Sequence, residues 1–231
     1  MRFSRRVLLL LACTAIGLTR LTSAISQEKP AAAKSAGTAE DEAKWTPLFN
    51  GKDLTNWKKS GFGGEGDVEV VDEALVLFTG GGRITGITFT KDFPKTNFEI
   101  HLEARRAKGS DFFCGLTFPV DESHASLICG GWGGTVTGIS NIDGNDASEN
   151  NSSKYLKYEN GKWYDIRLRV TPEKIEAWID GKQEIDVDRE DRRFSTRIEV
   201  DRSKPLGISA FESQSEIRKI EWRAIKAKDS K

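Results

Sequence analysis

Soft-ligand and thiol chemistry have little to draw on here: the 231 residues include two histidines, three cysteines and one methionine. With only His101 and His124 and no Cys-x-x-Cys pair, a zinc site of the metalloprotease kind lacks its ligands. No Gly-x-x-x-x-Gly-Lys-Ser/Thr phosphate loop occurs, and Gly80-Gly81-Gly82 reads as a turn. A Gly-x-Ser-x-Gly nucleophile elbow is missing too, so a serine hydrolase has no anchor. Lysine plus arginine, at 35, only equals aspartate plus glutamate, at 35, so nucleic-acid phosphates meet no basic surplus. The longest apolar run, Val7 to about Leu18, is too short for a comfortable membrane span.

What is present begins with an export pattern. Arg2, Arg5 and Arg6 precede that apolar run, and small residues end at Ala24, which predicts a signal peptide over 1–24 and a periplasmic or extracellular protein. Two variants stay open: Ser4-Arg5-Arg6 resembles a twin-arginine signal, and Leu10-Leu11-Ala12-Cys13 a lipoprotein box whose Cys13 would carry the anchor. Cleavage would remove four arginines and no acid, leaving a mildly acidic chain without a transmembrane segment. Residues 25–44 are small, polar and free of aromatics, a flexible linker. All six tryptophans lie from Trp45 onward, and residues 45–226 suffice for one domain before a frayed tail, 227–231.

Alternation dominates that domain. In Phe98-Glu-Ile-His-Leu-Glu-Ala-Arg105, Phe98, Ile100, Leu102 and Ala104 share one face; Glu99, His101, Glu103 and Arg105 share the other. Similar segments at 67–71, 74–78, 84–89, 111–118, 125–132, 135–140, 163–170, 174–180, 184–187, 206–211 and 216–225 predict strands. Asn160-Gly161 and Asp180-Gly181 are two-residue hairpin signals. The expected fold is all-β: an antiparallel two-sheet sandwich or jelly roll. A hairpin centred between residues 121 and 122 sets Cys114 opposite Cys129, within disulfide reach; a bridge and a buried reduced pair both remain open.

The segment from Asn160 to Val187 resembles lectin-type sandwiches of the concanavalin A and laminin-G kind. WTPLFNGKDLTNW (45–57), FEIHLEARRAKGSDFF in the middle and PLGISAF (205–211) are similar to the 3-keto-disaccharide hydrolase domain family. Two departures stand out: ASLICGGW replaces the family's Gly-Tyr-Glu-Val-Gln type strand, and Ser209-Ala210-Phe211-Glu212 its Gln-Asp-His triplet. The resemblance implies cleavage of 3-keto-glycosides. The C3 ketone acidifies the C2 hydrogen, the glycosidic oxygen leaves from C1, and water then adds. No organic cofactor is implied. The alternative function is a non-catalytic, lectin-like glycan-binding module; carbohydrate is the expected partner either way.

Candidate residues follow from side-chain chemistry. Glu99 or Glu103 is the candidate base, with His101 and Arg105 beside them to bond hydroxyls, if that face is concave; otherwise it is a solvated face of cross-strand ion pairs. Residues 139–150 gather acceptors at an expected strand end, where binding groups tend to collect. Asp143 and Asp146 are the candidate acids or hydroxyl-orienting groups, and Asn141 and Asn150 the candidate donors. Trp132, flanked by Gly130, Gly131, Gly133 and Gly134, could stack on a pyranose or fill the core. Asp111 is either a turn cap or a rim carboxylate. Calcium on Asp143, Asn145, Asp146 and Glu149 is an alternative use of the loop, which lacks the regular spacing of a known calcium loop. His124 reads as a surface residue.

Overall fold

The computed structural model describes residues 44–226. The expected signal peptide with Cys13, most of the expected linker and the expected tail, 227–231, lie outside the described residues. Among the described residues fifteen strands run in chain order: β1 Thr46–Pro47, β2 Trp57–Lys59, β3 Val68–Val71, β4 Ala74–Leu77, β5 Ile84–Phe89, β6 Phe98–Gly109, β7 Cys114–Val120 and β8 Ser123–Gly131. There follow β9 Val136–Ser140, β10 Lys154–Tyr155, β11 Tyr164–Val170, β12 Lys174–Ile179, β13 Lys182–Asp188, β14 Gly207–Phe211 and β15 Ser213–Ala224. They form the expected antiparallel sandwich. One sheet has the order β13-β12-β11-β6-β15-β4-β3, with β1 also on β15; the other has β10-β9-β8-β7-β14-β5-β2. Among the described residues no helix is long and apolar enough to cross a membrane.

Pleating explains the core. Phe98, Ile100, Leu102 and Ala104 of β6 point inward with Ile166, Leu168 and Val170 of β11, against Leu116, Phe118, Leu127, Ile139 and Ile208 of the second sheet. Each such large side chain contributes about 1.5–3 kcal/mol of burial. The opening string FNGKDLTNW (49–57) proves to be a turn that delivers a plug. Asn50 Oδ1 accepts from Lys52 N (2.8 Å) and Asp53 N (3.1 Å), and Asp53 Oδ1 accepts from Thr55 N (2.8 Å). Bonds from Thr55 and Asn50 pull the Asp53 carboxyl down to about 2. Trp57 then enters the core, its indole N–H donating to Leu48 O at 2.9 Å.

Hairpin β7–β8 has the predicted centre, with Cys114 opposite Cys129; both are buried, unbridged thiols. The bond from Cys129, and then burial, push the Cys114 thiol well up. Asp180-Gly181 makes the β12–β13 hairpin, but Asn160-Gly161 does not make one: β11 pairs with β6 and β12, not with the strand preceding that turn. Asn160 instead anchors Arg106, whose Nε donates to its Oδ1 at 2.6 Å.

The outer face of the first sheet is an ion-pair lattice. Glu99, 0% exposed, accepts from Arg169 Nε (2.6 Å) and Arg223 Nε (2.5 Å). His101 lies between Glu221 (2.9 Å from Nδ1) and Asp165 (2.6 Å from Nε2). Arg105 Nε donates to Glu216 at 2.8 Å, and Glu103 accepts from Arg218 (2.6 Å) and Lys219 (2.5 Å). Indoles separate the guanidinium groups: Trp163 packs under Arg105 and Arg218, Trp178 under Arg167 and Arg169, and Trp45 under Arg223.

Glu99→Ala leaves two guanidinium groups around a buried void, so urea denaturation is expected to show a loss of about 3–5 kcal/mol; a loss within 0.5 kcal/mol of zero contradicts the buried pairing. For Glu103, partial burial opposes ionisation, but Lys219 and Arg218 win and hold the carboxyl below its ordinary 4.5. A depressed folded-state value stabilises above the unfolded-state value and stops doing so as pH falls through the folded one. The stability difference between the wild type and Glu103→Gln is therefore expected to be full at about pH 6 and to fade below about pH 4.3.

Candidate functional site

The outer face of the second sheet is built differently. Many of its outward positions are small or hydroxylated, Gly86 and Thr88 on β5, Gly115 and Thr117 on β7, Ser126 on β8, Gly138 and Ser140 on β9 and Ser209 on β14, with Ile84, Ile128 and Phe211 larger among them. The hydroxyl residues among them are 0–2% exposed, because other chain covers them. Part of the cover is the connection from β13 to β14, residues 189–206, which crosses from one sheet to the other and includes a 3-10 turn, Ile198–Ser203. This strap pairs with the segment after β9. Asn141 N donates to Ser195 O (2.6 Å), Ser195 N to Asn141 O (3.2 Å) and Asp143 N to Arg193 O (2.8 Å). Farther along, Thr88 Oγ1 donates to Arg202 O at 2.8 Å.

Where the cover stops, a cleft of about 220 Å³ remains, lined by Ile84, Asp111, Phe112, Ser126, Ile128, Trp132, Ser140, Arg197, Glu199, Val200 and Phe211. Phe112 and Phe211 stack at 5.9 Å with their planes 21° apart. Glycine is what lets Phe112 lie on the floor: a Cβ at Gly115 would sit 3.0 Å from its ring and 2.8 Å from Ser209 Oγ. Trp132 stands at the mouth, 41% exposed, at the tip of the β8–β9 turn. Asp111 holds that turn, accepting from Phe112 N at 2.7 Å and, across the chain, from Gly133 N at 2.8 Å. Gly134 completes it, with φ +105° and no space for a Cβ beside Ser110 O at 2.7 Å.

Opposite Asp111 lies a guanidinium between two acids. Arg197 Nη1 donates to Asp146 Oδ2 and Nη2 to Glu199 Oε1, both at 2.9 Å. That bond from Arg197 holds the Glu199 carboxyl below its usual range. Asp146 is also tied to its own loop, accepting from Ser148 N (2.9 Å) and Oγ (2.7 Å).

The nominated residues therefore fall into three groups. Trp132 and Asp111 line the cleft, and Asp146 reaches it through Arg197. Asp143, Asn141 and Asn150 assemble its surroundings. Asp143 accepts from Arg193 N (2.9 Å) and Arg192 (2.7 Å), which lower its carboxyl in that order; Asn141 pairs with the strap. Asn150 Nδ2 donates to Ile139 O and Asp146 O, both at 2.7 Å. Glu99, His101, Glu103 and Arg105 are not brought to the cleft. Once Phe98, Ile100 and Leu102 face the core, their alternating neighbours must face outward from the other sheet, and there they form ion pairs. Among the described residues no three His, Cys, Asp or Glu side chains converge as a metal site; Asp143 and Asp146 engage the chain's own Arg192 and Arg197.

Sequence reasoning missed Phe112, Phe211, Arg197, Glu199 and the floor serines. The strap has no period to betray it. A usable signal did exist in the runs of glycine, serine and threonine at outward positions of central strands, which a solvated sheet face does not require. His124 also differs from expectation. It is half-buried on this same face, two positions from Ser126, and burial followed by Lys204 pushes its imidazole down.

Comparison with solved structures supports the fold. At 11% identity and a TM-score of 0.55, an apo Crh5 transglycosylase matches over 80% of this chain and 84% of its own. Domain 4 of AbnA, a GH43 extracellular arabinanase from Geobacillus stearothermophilus in complex with arabinotriose, matches at 15% identity and 0.52, over 81% and 96%. The carbohydrate recognition domain of Emp47p matches at 14% and 0.51, over 82% and 100%. No curated protein sequence matches significantly. The model of the 3-keto-alpha-glucoside-1,2-lyase-like domain matches residues 44–228, nearly the whole region from the first tryptophan onward, and the chain belongs to that carbohydrate-active family.

Proposed function

We propose that the protein is an exported carbohydrate-active enzyme that cleaves 3-keto-glycosides by elimination and hydration, with the oxidised ring in the cleft over the second sheet. The observation that carries this is one hollow lined by Trp132, Asp111 and Arg197, in a chain of this family. An indole offers a flat apolar face to a pyranose. The cation is suited to the enolate oxygen that develops at C3 when the C2 proton leaves. Asp111 is the base in this scheme: its two backbone N–H partners hold the carboxylate in place and leave lone pairs for the proton. This reading moves the base from Glu99 or Glu103 to Asp111, since the former are consumed by arginines on the far sheet face. Export rests on the basic, apolar and small-residue order of residues 1–24.

One observation favours a glycan-binding module instead. Asp146 and Glu199 are both engaged by Arg197, so the cleft holds few carboxylates uncommitted to a cation. Domains that resemble the chain in fold are named both as a transglycosylase and as a carbohydrate recognition domain.

Incubating the purified protein with a 3-keto-disaccharide and following release of 3-ketoglucose separates the two. Turnover is expected, with kcat lowered about 10²–10⁴-fold in Asp111→Asn and KM raised in Trp132→Ala. Binding without release supports the module, and undiminished kcat in Asp111→Asn removes the base assignment. Glu103→Gln is expected to turn over at the wild-type rate.

A further inference from the structure

The cleft's size and charge specify more than sugar. Its volume of about 220 Å³ lies below the roughly 300–1,000 Å³ of pockets for drug-sized ligands, a size suited to one ring. Its walls are aromatic and aliphatic: Trp132, Phe112 and Phe211 with Ile84, Ile128 and Val200. The charges set into those walls do not balance. Asp111 and Glu199 line the cleft, Asp146 stands behind, and the one cation lining it, Arg197, is shared between Glu199 and Asp146. The nearby Arg83–Glu212 pair, at 2.7 Å, is neutral as a unit. Arg106, buried behind Asp111, donates to the backbone oxygens of Asp111 and Tyr158, so that against Asp111, Glu199 and Asp146 the two guanidinium groups leave one net negative charge.

We infer that the cleft is selective for a sugar ring bearing an ammonium group over an uncharged ring, and that it rejects rings bearing a carboxylate. The inference rests on the cleft being the sugar site, and it adds the class of sugar. An ammonium group gains twice in this setting, from uncompensated acid charge and from the faces of the aromatic rings. A uronate meets the same acids as like charge, and the Arg197 guanidinium it would pair with is already shared between Glu199 and Asp146. The depressed Glu199 carboxyl, held so by Arg197, keeps that negative charge in place at mildly acidic pH.

The test is calorimetric titration with three probes, methyl glucoside, methyl 2-amino-2-deoxyglucoside and methyl glucuronide. The pH is about 6, below the roughly 7.7–8.0 at which comparable amines titrate. The amine is expected to bind about five- to ten-fold tighter than the neutral ring, and the uronate at least as much weaker. Trp132→Ala is expected to weaken all three, which locates them in the cleft. Glu199→Gln is expected to compress the spread between amine and uronate, and raising the salt to about 1 M to compress it in the unaltered protein. Equal affinities, or a uronate that binds tightest, overturn the selectivity while leaving the cleft a sugar site. A spread unchanged by both Glu199→Gln and salt overturns its electrostatic origin. Binding of no probe overturns the selectivity and, if 3-ketoglucose is nonetheless released, leaves the proposed reaction standing.

Discussion

The apolar layer between the sheets sets the phase of every strand, and the rest of the molecule depends on that phase. Because Phe98, Ile100 and Leu102 must meet Leu116, Phe118 and Leu127, the neighbours of each are sent to the outside. A slip of one residue in β6 would put Glu99, His101 and Glu103 into the core, at a cost of several kcal/mol for each unpaired charge. The same constraint turns Ser126, Gly115 and Ser209 toward the covered face of the other sheet.

The two outer faces solve different problems. On the first sheet, rows of acids and arginines are interleaved with Trp45, Trp163 and Trp178, so charge is neutralised and guanidinium planes are stacked. On the second sheet many outward residues are glycine, serine or threonine, and the strap and the loop after β9 settle onto them. The strap is held by Asp143 and Asp146, each engaging an arginine of the crossing chain. Carboxylates that read as chemical groups in the chain order thus serve largely as fasteners. One of them, through Arg197, also shapes the polar end of the cleft. The cleft is the remainder of the covered face, between the stacked Phe112 and Phe211 and the Trp132 turn.

Much of the fold was legible because strand alternation is local. β5, 84–89, and the centre of the β7–β8 hairpin were each read from a few residues, including the opposition of Cys114 and Cys129. Asn160-Gly161 misled because a dipeptide reports a turn and not which strands flank it. The site was only partly legible. Trp132 and Asp111 carried visible signals, glycine flanks for one and, for the other, an expected strand start that the structure places at Cys114, and both line the cleft. Arg197, Glu199 and Phe211 carried none, since they come from segments more than sixty residues away in the chain.

The amino-acid sequence by itself determined the two-layer β architecture, the family, and which residues of each strand share a face, since these follow from a period of two and from local strings. Only the tertiary structure decided which of the two outer faces would be hollow. That choice depends on where the β13–β14 connection crosses and on the hydrogen bonds it makes with Asn141 and Asp143. Those bonds join residues some fifty positions apart, and no local pattern encodes such a distance.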